Sequence, residues 1–111
     1  MSRDHARLLH IRDAIRRIHS YISDRDGFLS QPLIQDAVIR NLEVIGEAVK
    51  ALGPESRTQR TEIPWSDIAA MRDRLIHGYF AVDLELVWDV VADRLPALEA
   101  AVESLLQSTS E

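Results

Sequence analysis

At 111 residues, 46% of them hydrophobic and 28% charged, the chain has material for one buried core and little room for a second, so one domain over residues 1–111 is expected. The absence of cysteine excludes thiolate metal sites and thiol nucleophiles, and no apolar run approaches the length of a membrane span. A formal net charge of −5 argues against a broad basic surface for nucleic acid, so any RNA contact has to come from a local cluster or from a surface made by two chains.

The first helix is expected from about Ser2 to Ser23, where Leu8, Ile11, Ile15, Ile18 and Ile22 recur at spacings of three and four. Asp24-Arg25-Asp26-Gly27 should break it, with Gly27 suited to a left-handed helix end. The second helix starts near Ser30-Gln31-Pro32, a capping residue followed by proline in the first turn. It carries Ile34, Val38, Leu42, Ile45, Val49 and Leu52, stops at Gly53-Pro54, and is followed by a polar loop from Glu55 to Glu62. The third is announced by Ile63-Pro64-Trp65-Ser66-Asp67, continues through Ile68, Met71, Leu75 and Ile76, and has Gly78 as its terminator. The fourth begins at the capping residue Asp83 and runs towards Leu106 on the stripe Leu84, Val87, Val91, Leu95, Leu98, Val102 and Leu105. Pro96 lies inside that stripe and should kink or interrupt the helix. No strand alternation stands out, so the fold class is all-α: an up-and-down four-helix bundle.

Polar residues inside apolar faces mark where a bundle does more than pack. Asn41 falls near the middle of the second helix's apolar face, where it either ties helices together or faces a polar cleft. Arg72 projects between Ile68 and Ile76 and must pair with an acid, reach the rim or face a site. His77 lies about 140° around the same helix from Arg72, five residues at about 100° each. The two converge only if the helix unwinds at His77-Gly78 or if a second copy brings its own set alongside, which favours a two-fold dimer. Plainer roles compete. His77 can cap the helix end, Tyr79-Phe80 can seal the turn as core aromatics, and Asp73 with His77 can be a surface pair. Trp65 and Trp88 read as core anchors, and His5, His10 and His19 have no metal-ligand spacing.

The stretch Trp65 to Phe80, then Val82-Asp83 and Val87-Trp88, closely resembles HEPN-domain toxins paired with a minimal nucleotidyltransferase antitoxin, the HepT/MntA-like family. Arg72, four intervening residues, His77, one residue and Tyr79 match that family's Arg-x4-His-x-Tyr motif, and Arg40 to Ala48 resembles its Gly-Glu-Ala helix. The likeness covers nearly the whole chain.

This resemblance implies a metal-independent endoribonuclease without cofactors, built as a homodimer whose two motifs line a cleft. RNA carries its own nucleophile, the 2′-hydroxyl, so the protein has to supply a proton acceptor or donor and a cation. His77 suits the first task and Arg72 the second. Asp73 is placed to orient His77, Arg74 to hold a flanking phosphate, and Asn41 and Glu47 to support the cleft. Tyr79 is implied as the residue to which the nucleotidyltransferase partner adds AMP, which neutralises the toxin and requires an exposed phenol. The N-terminus lacks a signal-peptide layout, so a cytoplasmic protein with no membrane contact is expected. The acidic balance favours the competing readings, a non-catalytic nucleotide- or partner-binding subunit of a nucleotidyltransferase complex, or a scaffold.

Overall fold

The first three apolar stripes each follow one long helix in the computed structural model, which describes residues 3–77 and 83–109, and the fourth is divided over two helices and a π-helical turn. The long helices are α1 (Arg3–Tyr21), α3 (Pro32–Ala51), α5 (Trp65–His77) and α7 (Leu95–Thr109). Three shorter elements join them, α2 (Arg25–Ser30), α4 (Pro54–Gln59) and α6 (Leu84–Asp89), and a π-helical turn over Val90–Arg94 runs into α7. No strand occurs among the described residues, and none of their helices is long and apolar enough to cross a membrane.

The stripes meet in one core. Leu8, Ile11, Ile15 and Ile18 of α1, Val38, Leu42, Ile45 and Val49 of α3, and Leu98, Val102 and Leu105 of α7 are all buried. Polar contacts set the directions. At one end Asp4 meets Gly53 and at the other Arg17 meets Asn41, so α1 and α3 are antiparallel. Arg16 with Glu103 and His19 with Glu99 place α7 antiparallel to α1 on its other side. The connection after α3 stays at that helix's C-terminal end, where Arg57 donates to the Val49 carbonyl at 2.7 Å and the Trp65 indole donates to the Arg60 carbonyl at 2.9 Å. From there α5 runs back along α3. Between α5 and the α6–α7 arm lies a cavity of about 510 Å³, with Leu42, Met71, Leu75 and Leu86 among its apolar walls.

Two local expectations are corrected. Gly27 does not end a helix in the left-handed region, since no described glycine has positive φ. It lies inside α2, and its N–H donates to the Asp24 carboxylate at 2.7 Å, so Asp24 caps a new helix rather than closing the old one. Ser30 accordingly ends α2 instead of capping α3, which starts at Pro32 without a side-chain cap. The break expected near Pro96 is present, since the π-helical turn Val90–Arg94 divides the last helix just before it. Leu95 N–H bonds the Val90 carbonyl five residues back, and this wider turn makes room for a ring that has no N–H to offer and crowds the carbonyl four residues before it.

The supposed polar loop holds α4, and the reason lies on another helix. Buried Asp4 of α1 accepts from Gly53 N–H at 3.1 and 3.2 Å and from the Ser56 hydroxyl at 2.6 Å, holding the first turn of α4. Asp4→Ala strands a buried hydroxyl and an amide, so it should lower stability by about 1–3 kcal/mol. Thermal unfolding checks this, and an unchanged midpoint would show that the clamp contributes nothing.

Candidate active site

The site is built where α5 crosses α3. Interior glycine costs a helix about 1 kcal/mol relative to alanine, so Gly46 in the middle of α3 needs a packing reason. A Cβ at Gly46 would lie 2.7 Å from Arg72 Cβ, 3.2 Å from the Ile68 carbonyl oxygen and 3.3 Å from Arg72 N. Its missing side chain is therefore what lets the two backbones approach, and the approach sets where Arg72 stands. In the sequence Gly46 stands out only as part of the Arg40–Ala48 resemblance. Its isolation inside a helical pattern is the signal that marks the crossing.

Arg72 is half-buried, with its side chain 28% exposed, and takes the acid-paired option. Its Nε is 3.6 Å from Glu47 of α3 and its Nη1 is 3.1 Å from Asp73. Arg72, Glu47 and Asp73 thus form one ion cluster across the crossing. Both carboxylates are exposed, so the cluster orients the guanidinium at small cost to anything that would replace it.

His77 is the last residue of α5 and is exposed. Among the described residues no hydrogen bond or ion pair joins it to another side chain, and Asp73 is paired with Arg72 instead. Because α5 stays helical through His77, the unwinding that would turn the imidazole towards Arg72 does not occur up to that residue. Within one chain the two side chains leave the helix about 140° apart.

Arg74 faces away from the cluster and lines the cavity between α5 and the α6–α7 arm, together with Asp67 and Met71. Asn41 is buried and ties α1 to α3: its carbonyl oxygen accepts from Arg17 Nε at 2.9 Å and its amide donates to the Ala37 carbonyl at 2.8 Å. Of its two expected roles, the tie between helices is the one seen. Trp65 is buried as a core anchor, while Trp88 is half-buried against Phe28, ring centroids 5.7 Å apart. Asp83 caps α6 as expected, accepting from Glu85 and Leu86 N–H. Tyr79, the terminator Gly78 and Phe80 lie outside the described residues. No group of three or more His, Asp or Glu side chains among the described residues is arranged to hold a metal ion.

Residues 11–105 match the family model described as ribonuclease HepT-like. Over 108 residues the chain is 40% identical to a Thermococcus cleftensis protein named "Probable ribonuclease HepT", covering 95% of this chain and 98% of that one. It is 43% identical over 82 residues to a "Putative RNase" of Caldanaerobacter subterraneus subsp. tengcongensis, with 74% of this chain and 73% of the relative covered. A Methanocaldococcus jannaschii protein named "Gamma-glutamylcyclotransferase and putative RNase" is 43% identical over 102 residues, or 90% of this chain. The match takes in only 46% of that longer protein. No solved structure gives a significant match. On these matches, which take in the helices bearing Gly46, Arg72 and His77, the chain belongs to the HepT-like ribonuclease family.

Proposed function

We propose that this chain is the RNase toxin of a HEPN–nucleotidyltransferase toxin–antitoxin pair, a cytoplasmic, metal-independent endoribonuclease that works as a homodimer. The observation that carries the proposal is an exposed imidazole, His77, as the last residue of the helix that also holds the anchored guanidinium of Arg72.

In this reading the 2′-hydroxyl of the RNA attacks the adjacent phosphorus and loses its proton to an imidazole. The bond from phosphorus to the 5′-oxygen breaks, and that oxygen takes up a proton. The products are a 2′,3′-cyclic phosphate and a 5′-hydroxyl. His77 handles the proton transfers. Arg72 offsets the charge that builds on the phosphorane oxygens. The 3.6 Å pair with exposed Glu47 is loose enough to yield to a phosphate, because exposed ion pairs contribute at most about 1 kcal/mol.

The angular separation of Arg72 and His77 on a straight helix supports the dimer, since a two-fold partner supplies the missing half of each set. Glu47 and Asp73 hold the guanidinium, Arg74 takes a flanking phosphate, and Asn41 supports the cleft from α3. Tyr79 is the AMP acceptor. A phosphate monoanion placed beside Arg72 and His77 competes with RNA, so adenylation silences the enzyme.

Purified protein incubated with total RNA in excess chelator should yield fragments ending in cyclic phosphate. Its cognate minimal nucleotidyltransferase with ATP should add the mass of an AMP to the wild type but not to Tyr79→Phe, and should abolish cutting by the wild type. RNA left intact at every protein concentration would reduce the chain to a partner-binding subunit.

A further inference from the structure

In an acidic chain most arginines are claimed by carboxylates, so one that is held in place yet unclaimed is informative. Arg7, Arg12, Arg16, Arg25, Arg40, Arg60 and Arg72 each lie within 4.0 Å of an aspartate or glutamate. Arg17, on the exposed side of α1, has no such partner among the described residues. Its hydrogen bond goes instead to a neutral group, the buried Asn41 carbonyl oxygen at 2.9 Å.

Asn41 is itself fixed, because its amide nitrogen donates to the Ala37 carbonyl and so turns its oxygen to Arg17. The contact uses only Nε. The four N–H groups on the terminal nitrogens keep their geometry and have no described protein partner. A planar fork held by a neutral anchor is suited to a phosphate, since no carboxylate has to be displaced.

Its height along the bundle axis is close to that of the site. α5 runs back along α3 from the crossing of Gly46 with Arg72. Counting five residues towards the N-terminus of α3 reaches Asn41, and five towards the C-terminus of α5 reaches His77. Both lie about 7.5 Å further along at 1.5 Å per residue, on the same side of the crossing along the bundle axis, while Asn41 leaves α3 about 140° around from Gly46, on the side that faces α1.

We propose that Arg17, positioned by Asn41, contacts a backbone phosphate of single-stranded RNA and so extends the Arg72–His77 site across α3 to α1. The proposal rests on the ribonuclease reading above.

The test measures binding of a short, unstructured, fluorescent RNA oligonucleotide in a His77→Ala background across a salt series. Losing one charged contact in Arg17→Ala should weaken binding about tenfold. It should also lower the slope of log affinity against log salt by about 0.7, the value for one phosphate on a single strand. Asn41→Ala keeps the charge but loses the hold, so affinity should fall a few-fold with the slope retained. Arg3→Ala, another arginine without an ion pair among the described residues but at the opposite end of α1, should change neither quantity. If Arg17→Ala fails to fold, Arg17→Gln removes the charge while leaving a donor for Asn41 and should show the same slope change.

A merely structural Arg17 would shift the melting temperature and leave the slope untouched, which overturns the proposal. Wild-type protein that neither binds nor cuts RNA would remove the ribonuclease reading itself. Normal cutting with an unchanged slope in Arg17→Ala removes only the role of Arg17.

Discussion

Replacing His77 with alanine is expected to slow RNA cleavage by about 10²–10⁴-fold, the usual contribution of a positioned acid–base group. The side chain is exposed at the end of α5, and no described residue depends on it for a hydrogen bond. Folding stability should therefore stay within about 0.5 kcal/mol of the wild type. The separation of a large kinetic effect from a negligible stability effect is what distinguishes a catalytic imidazole from a helix cap.

Arg72→Ala should cost about 10²–10³-fold through loss of charge stabilisation in the transition state. It also leaves Glu47 and Asp73 as uncompensated neighbours of the RNA backbone, so weaker RNA binding should accompany the slower rate. Arg72→Lys retains charge without the planar fork and should recover part of the activity. Initial rates on a defined RNA, with circular dichroism to confirm the fold, make the measurement. Cleavage by His77→Ala at more than about a tenth of the wild-type rate would end the assignment of the imidazole as the proton-transfer group.

Gly46→Ala is expected to destabilise the bundle although alanine is the better helix former. The added methyl would lie 2.7 Å from Arg72 Cβ, an atom fixed to the backbone of α5 and unable to swing away. Forcing the helices apart costs about 1–3 kcal/mol as overpacking, against a gain of about 1 kcal/mol from propensity. The net loss should be up to roughly 2 kcal/mol, with Tm falling by about 4–8 °C for each kcal/mol lost. Activity should fall further than stability, because the group displaced is the backbone of Arg72. Thermal unfolding and cleavage rates on the same preparation test both halves. A Gly46→Ala protein that melts above the wild type would show that propensity outweighs the contact and that the crossing has slack.

The four long helices were legible because each is written locally, as apolar residues every three or four positions, and the asymmetry between buried and exposed faces needs no knowledge of the partner. Asp83 as a cap was legible for the same reason. Position Arg72 was flagged by its conflict with the apolar face, but its partners were not, since Glu47 is brought to it by the crossing of two helices.

The all-α class and the stripes that build the core can be read from the residues alone, as can the chemical types gathered at the close of the third stripe. Packing in three dimensions is what makes Asp4 turn an apparent loop into a helix, gives Pro96 its wider turn, and lets Gly46 set the position of Arg72. It also decided that Asn41 holds Arg17. The division has one physical cause. Periodicity reports which face of a segment avoids water, whereas a contact between residues tens of positions apart depends on which helices pack together and at what register, and no local pattern contains that information.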